Sequence, residues 1–152
     1  MPEFKPTPSQ KEAIESRGGA VLVSAGAGSG KTRVITERLM KYVLDEKSPA
    51  DITRFVIITF TKASAAELRS RIREELSGAV TRCEQNGNKN PEYLAHIRRQ
   101  LVLCDKAQIG TIHSFCAAVL RENGYSRNLP ADFSILSDER ALAIRRKHWK
   151  SF

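Results

Sequence analysis

The stretch Ala20-Val21-Leu22-Val23-Ser24-Ala25-Gly26-Ala27-Gly28-Ser29-Gly30-Lys31-Thr32 decides how this chain is read. It has the pattern of a buried apolar strand, followed by a loop of small residues and a Lys-Thr pair that opens a helix. That order is the layout of a phosphate-binding P-loop. Glycines let the backbone curl so that successive N–H groups face one anion, and the helix N-terminus adds the positive end of its dipole. In such a loop Lys31 reaches the β- and γ-phosphates and the Thr32 hydroxyl ligates Mg²⁺. The strict pattern G-x-x-x-x-G-K-S/T asks for glycine where this chain carries Ala25, a methyl group that negative φ tolerates. A Gly-rich turn that binds nothing is the competing reading, and Gly-Lys-Thr at a strand-to-helix junction argues against it. The expected ligand is a nucleoside triphosphate with Mg²⁺, cradled by Ala25, Gly26, Ala27, Gly28, Ser29, Gly30, Lys31 and Thr32.

A length of 152 residues suits one domain. With 41% hydrophobic and 28% charged residues, the composition is that of an ordinary globular protein. No apolar run approaches the roughly 18 residues of a membrane span, and Met1-Pro2-Glu3-Phe4-Lys5-Pro6 lacks a signal-peptide pattern, so a cytoplasmic location is expected. Cys83, Cys104 and Cys116 are odd in number and widely spaced, which fits reduced thiols better than a disulfide frame or zinc site. His96, His113 and His148 are equally scattered. A net charge of +8 favours a polyanionic partner, nucleic acid first, although a solvated surface with excess charge accounts for it almost as well.

Thr7-Pro8-Ser9-Gln10 starts a helix with Thr7 as N-cap, Pro8 at the first position and Gln10 completing a capping box; Gly18-Gly19 ends it. After the loop a helix is expected from Lys31 to about Asp45 on the spacing of Val34, Ile35, Leu39 and Val43. Phe55 to Phe60 is a nearly continuous apolar run, the mark of a parallel strand covered on both faces. Helices are expected over Thr61 to Val80, Pro91 to Leu103 and His113 to Asn123, with a short strand over Gln108 to Ile112. The intervening segment carries an Asn86-Gly87 turn signal, and 83–105 reads as a helical insertion. Phe133 to Leu136 is a short extended piece, and Ser137 caps a last helix. Alternating strands and helices argue an α/β domain with a parallel sheet. The chain stops inside a helical pattern at Lys147-His148-Trp149-Lys150-Ser151-Phe152, as a piece of a longer protein would.

Four stretches together resemble the N-terminal motor domain of superfamily 1 DNA helicases of the UvrD/Rep type. They are Gln10 ahead of the loop; Ala25 through Arg33, where alanine at the first position is usual for that family; Ile58-Thr59-Phe60-Thr61-Lys62-Ala63-Ser64-Ala65-Ala66-Glu67-Leu68-Arg69, similar to motif Ia; and Gly110-Thr111-Ile112-His113-Ser114-Phe115-Cys116, similar to motif Ib. Arg98 to Leu103 leading into Thr111 to Cys116, and Phe133 to Glu139, look closest to the A subunit of the AddAB helicase–nuclease.

The resemblance implies a RecA-like P-loop NTPase sheet flanked by helices, here incomplete, with residues 1–152 forming the first part of the ATP-binding domain. It implies that Gln10 reads the adenine edge, for which an amide with donor and acceptor is suited; its capping role is the local alternative, and one residue can serve both. It places Arg33 near the nucleotide, against a solvated helix face. It assigns Thr59, Phe60 and Thr61 to single-stranded DNA, a base packing on Phe60 while hydroxyls hold phosphate. Taken locally, Phe60 is core and Thr61 a helix cap. Thr111 and His113 resemble residues touching the DNA backbone, although a lone histidine after a strand is more often structural. Ser64-Ala65-Ala66-Glu67 reads as another capping box, which leaves Glu67 without chemistry.

Hydrolysis in this class needs an apolar strand ending in Asp-Glu. Only the segment ending in Asp138-Glu139 applies, and Ser137-Asp138-Glu139 reads better as a helix cap with acids in the first turn. The expectation is therefore an ATP-binding piece of an ATP-dependent helicase that translocates on single-stranded DNA and unwinds double-stranded DNA. The full-length protein would have an AddB-like nuclease partner and no membrane contact. The rivals are a small phosphotransferase and an ATP-gated nucleic-acid-binding module without turnover.

Overall fold

The computed structural model describes residues 4–26, 28–85, 90–130 and 132–149. Ala27, the Asn86-Gly87 turn signal and the Lys150-Ser151-Phe152 end lie outside the described residues. The chain divides into two compact units, Met1–Ile112 and His113–Phe152.

In the first unit α1 (Pro8–Glu15) begins as its sequence dictates. Thr7 accepts from the Gln10 N–H and Gln10 accepts from the Thr7 N–H, a complete capping box with Pro8 at the first position. Its buried Ala13 and Ile14 meet Val34 of α2 (Lys31–Val43), with Phe4 against them. This small cluster holds α1, and with it Gln10, beside the start of α2. The larger core gathers Leu39, Met40 and Val43 of α2, Leu68, Ile72, Leu76 and Ala79 of α3 (Lys62–Gln85), and Ile97 of α4 (Pro91–Leu103). The α3 residues recur at helical spacing and form one buried stripe. Asn90 caps α4 by accepting from the Glu92 and Tyr93 N–H groups.

Strands β1 (Val56–Thr59) and β2 (Gln108–Thr111) pair in parallel, Val56 opposite Gln108 through Thr59 opposite Thr111. A parallel pair requires a crossover, and α3 and α4 supply it. The second unit holds most of α5 (Ile112–Asn123), a single 3-10 turn over Gly124–Arg127, and α6 (Asp138–Trp149).

The expected α/β character and the parallel pairing are present, but the sheet has two strands among the described residues. Ala20 to Ser24 is not a buried strand: it carries no sheet hydrogen bonds, and Leu22 is 96% exposed. An unbroken apolar run records a need for cover on both faces, and no described element covers this one. Helix α3 runs past Val80 to Gln85 because Val80 and Cys83 still pack against the core and Glu84 pairs with Arg98. Phe133 to Leu136 joins no strand among the described residues.

Candidate functional site

Two glycines set the loop. Gly28 (φ 75°) and Gly30 (φ 82°) both lie in the left-handed region, where a side chain would strain the backbone. Gly30 is the N-cap of α2 and offers no side chain to its first N–H groups, and no acidic residue occupies the first turn. Open amides at a helix N-terminus, positive dipole end included, are a donor set suited to an anion. The Lys31 ammonium donates to the Ala25 and Gly26 carbonyls, each at 2.6 Å, so it lies across its own loop. Thr32 is exposed in the first turn, and its carbonyl accepts from the Thr36 hydroxyl at 3.0 Å. Gln10 donates to the Ser29 carbonyl at 3.0 Å. A cavity of about 300 Å³ is lined by Thr7, Gln10, Val23, Ala25, Ser29 and Lys31 among others. The loop, Lys31 and Gln10 are thus brought together.

Arg33 is turned elsewhere. Its guanidinium pairs with Glu37 (2.7 Å) and with Glu75 of α3 (3.3 Å), and it stacks over Phe4 with 5.1 Å to the ring centroid. It lines a separate, broader cleft with Glu37, Glu67 and Glu75.

The second group of candidates sits at the C-terminal ends of the parallel strands, where open α/β sheets place ligands. The β1–β2 register sets Thr59 opposite Thr111. Phe60, next in the chain, is fully exposed, so it is not a core residue. Thr61 caps α3: its hydroxyl accepts from the Ser64 N–H at 3.0 Å and meets the Ser64 hydroxyl at 2.8 Å. The local reading is thereby overturned for Phe60 and upheld for Thr61. Because Thr61 is the cap, Ser64 and Glu67 form no capping box, and Glu67 pairs with Arg71 instead. The Thr59 hydroxyl donates to the Thr61 carbonyl at 3.0 Å, and Thr111 is buried. His113 is exposed in the first turn of α5, in the second unit. The Arg140 N–H donates to the Ser137 hydroxyl at 3.4 Å, which supports the capping reading of the segment that precedes Glu139.

Sequence reasoning missed the side chains that hold β2 and the segment leading into it in place. Arg69 of α3 donates to the carbonyls of Cys104 (2.6 Å) and Ile109 (2.8 Å), with Asp105 and Ala107 at 3.3 and 3.4 Å. It fastens the helix that Thr61 opens to the strand that Thr111 closes. Arg73 pairs with Asp105; the hydrogen bond and charge of that contact raise the Arg73 pKa and lower that of Asp105. Cys104 between them is buried, which pushes its thiol pKa up. The signal was the Arg-x-x-x-Arg spacing on one face of α3, which reads as solvated charge until the acceptors are known.

Known proteins resemble this chain along most of its length. The profile described as the UvrD/REP helicase N-terminal domain matches residues 6–151. A protein of Pelotomaculum thermopropionicum, named as the A subunit of an ATP-dependent helicase/nuclease, is 40% identical over 139 residues, 91% of this chain and 10% of that protein. Proteins of the same name from a Thermoanaerobacter species and from Bacillus licheniformis are 43% and 44% identical, covering 91% and 85% of this chain. The chain spans about a tenth of the length of these relatives. By the extent of the family match, nearly end to end, the chain belongs to the UvrD/REP helicase family, as part of its N-terminal domain.

Proposed function

We propose that this chain is the nucleotide-binding part of an ATP-dependent DNA helicase, the A subunit of a helicase–nuclease working with an AddB-like partner in the cytoplasm. The single observation that carries the reading is the glycine-shaped loop at the start of α2, with Lys31 lying across it and Gln10 at its edge. Its uncapped amides and ammonium fit a triphosphate. ATP bound there would supply the free energy for movement along DNA. Lys31 would exchange its two carbonyl partners for phosphate oxygens, the loop N–H groups would orient the phosphates, and Thr32 would hold Mg²⁺. Gln10 would read the adenine edge.

At the strand ends, the exposed Phe60 ring offers a stacking face for one base of a single strand. Thr59, Thr61 and Thr111 would contact its backbone, and for His113 of the second unit a backbone contact is what the family resemblance implies. The capping role of Ser137 favours a second, narrower reading for the chain on its own: nucleotide and single-stranded DNA binding without turnover. The test is DNA-dependent ATP hydrolysis by the full-length protein with and without Lys31→Ala. Loss of turnover is expected, and undiminished turnover would sink the proposal.

A further inference from the structure

Gln10 touches both the helix that starts the chain and the loop nineteen residues away. Its Oε1 accepts from the Thr7 N–H at 2.9 Å, and its Nε2 donates to the Ser29 carbonyl at 3.0 Å. Nε2 also lies 3.3 Å from where a Cβ on Gly30 would stand, so the amide rests on the last glycine of the loop. An amide side chain has two N–H donors and two acceptor lone pairs. The loop and the cap use one of each, leaving one of each for a ligand.

A trans peptide is planar, with its C=O and N–H pointing opposite ways. Fixing the Ser29 carbonyl therefore fixes the direction of the Gly30 N–H, one of the loop donors. The opposite side of the loop is held by Lys31 on Ala25 and Gly26, but those bonds have to break when Lys31 turns to a phosphate. The Gln10 bond does not. Because α1 is seated on Val34 through Ala13 and Ile14, this brace is anchored to the helix that the loop opens.

We propose that Gln10 is a positioning residue for the triphosphate, holding the Ser29–Gly30 peptide in its phosphate-ready orientation independently of any contact with the base. The inference rests on the nucleotide reading above and deepens it. It distinguishes two roles that one substitution would otherwise merge, because a ligand without a base still needs the brace.

The probes are ATP and inorganic tripolyphosphate, titrated into this chain and its Gln10→Ala variant, with the NMR order parameter of the Gly30 N–H measured in the free proteins. One lost hydrogen bond is expected to weaken both ligands by roughly 2- to 10-fold and to lower the Gly30 order parameter. Gln10→Glu provides the control for mere helix loss. Glutamate completes a capping box as well as glutamine does, yet it cannot donate to the Ser29 carbonyl. Unchanged α1 helicity with a lowered Gly30 order parameter in that variant supports the brace. If Gln10→Ala weakens ATP alone and leaves the Gly30 order parameter at the wild-type value, Gln10 serves only the base and the proposal is overturned. If the unaltered chain binds neither probe, the nucleotide reading fails. The order parameter then decides on the brace: a drop in Gln10→Ala upholds it, and an unchanged value overturns it.

Discussion

With its ammonium 2.6 Å from two loop carbonyls, Lys31 neutralises partial negative charge that would otherwise face an incoming phosphate. Charge-assisted hydrogen bonds contribute about 1.5–3 kcal/mol each, so Lys31→Ala should weaken ATP binding by roughly 10- to 100-fold in a fluorescent-nucleotide titration. Gln100 is the structural counterpart in the core. It is fully buried in α4, and its Oε1 accepts from the Ile52 N–H at 2.8 Å. Its Nε2 lies 3.4 Å from His96 Nδ1, while His96 Nε2 lies 3.0 Å from the Val43 carbonyl. Gln100→Leu keeps the volume but strands a buried donor, and urea unfolding should show a loss of about 1–3 kcal/mol. An unchanged midpoint would mean that water replaces the amide. That Gly28, Gly30 and Lys31 belong to one loop at a helix start was legible because their types have few other uses at that spacing. Gln100 was not, since a glutamine between Arg99 and Leu101 carries no mark of the amide it satisfies 48 residues away.

Helix α3 turns the sheet and its crossover into one piece, and two arginines carry much of that task. Arg69→Met retains the stem and removes the donors to Cys104 and Ile109. The expected loss is about 2 kcal/mol or more, read from the unfolding midpoint. The Arg73–Asp105 pair adds a pH dependence whose sign follows from its shift. The Asp105 pKa is lowered in the fold from its ordinary 3.8, chiefly by the Arg73 hydrogen bond, and Asp45 is lowered by the Ser48 and Lys47 N–H groups. Depressed carboxyls stabilise the fold above the unfolded value, and that contribution is lost as pH falls through the folded one. Melting temperature should therefore decline below about pH 4, and Asp105→Asn should flatten that decline. The existence of α2 was legible from the spacing of Val34, Ile35, Leu39 and Val43, whereas the fate of Ala20 to Ser24 was not. Periodicity reports how much cover a segment needs, and pairing depends on which neighbours are present to supply it.

Across the chain, a net charge of +8 and an exposed aromatic ring would act on DNA through different physics. Charge acts through released counterions, so log affinity for a single strand falls with log salt at a slope of about −0.7 per phosphate neutralised. Stacking on Phe60 involves no counterions and contributes about 1–3 kcal/mol per base. Phe60→Ala should lower the affinity for a short oligonucleotide by roughly 10- to 100-fold at fixed salt while leaving the slope unchanged. Neutralising Arg145 and Arg146 of α6 should instead flatten the slope if that helix meets phosphate. Fluorescence anisotropy from low to moderate salt separates the two. A Phe60→Ala line parallel to wild type and displaced below it places the ring on a base. A line that coincides with wild type removes Phe60 from the DNA interface and leaves charge as the sole attraction.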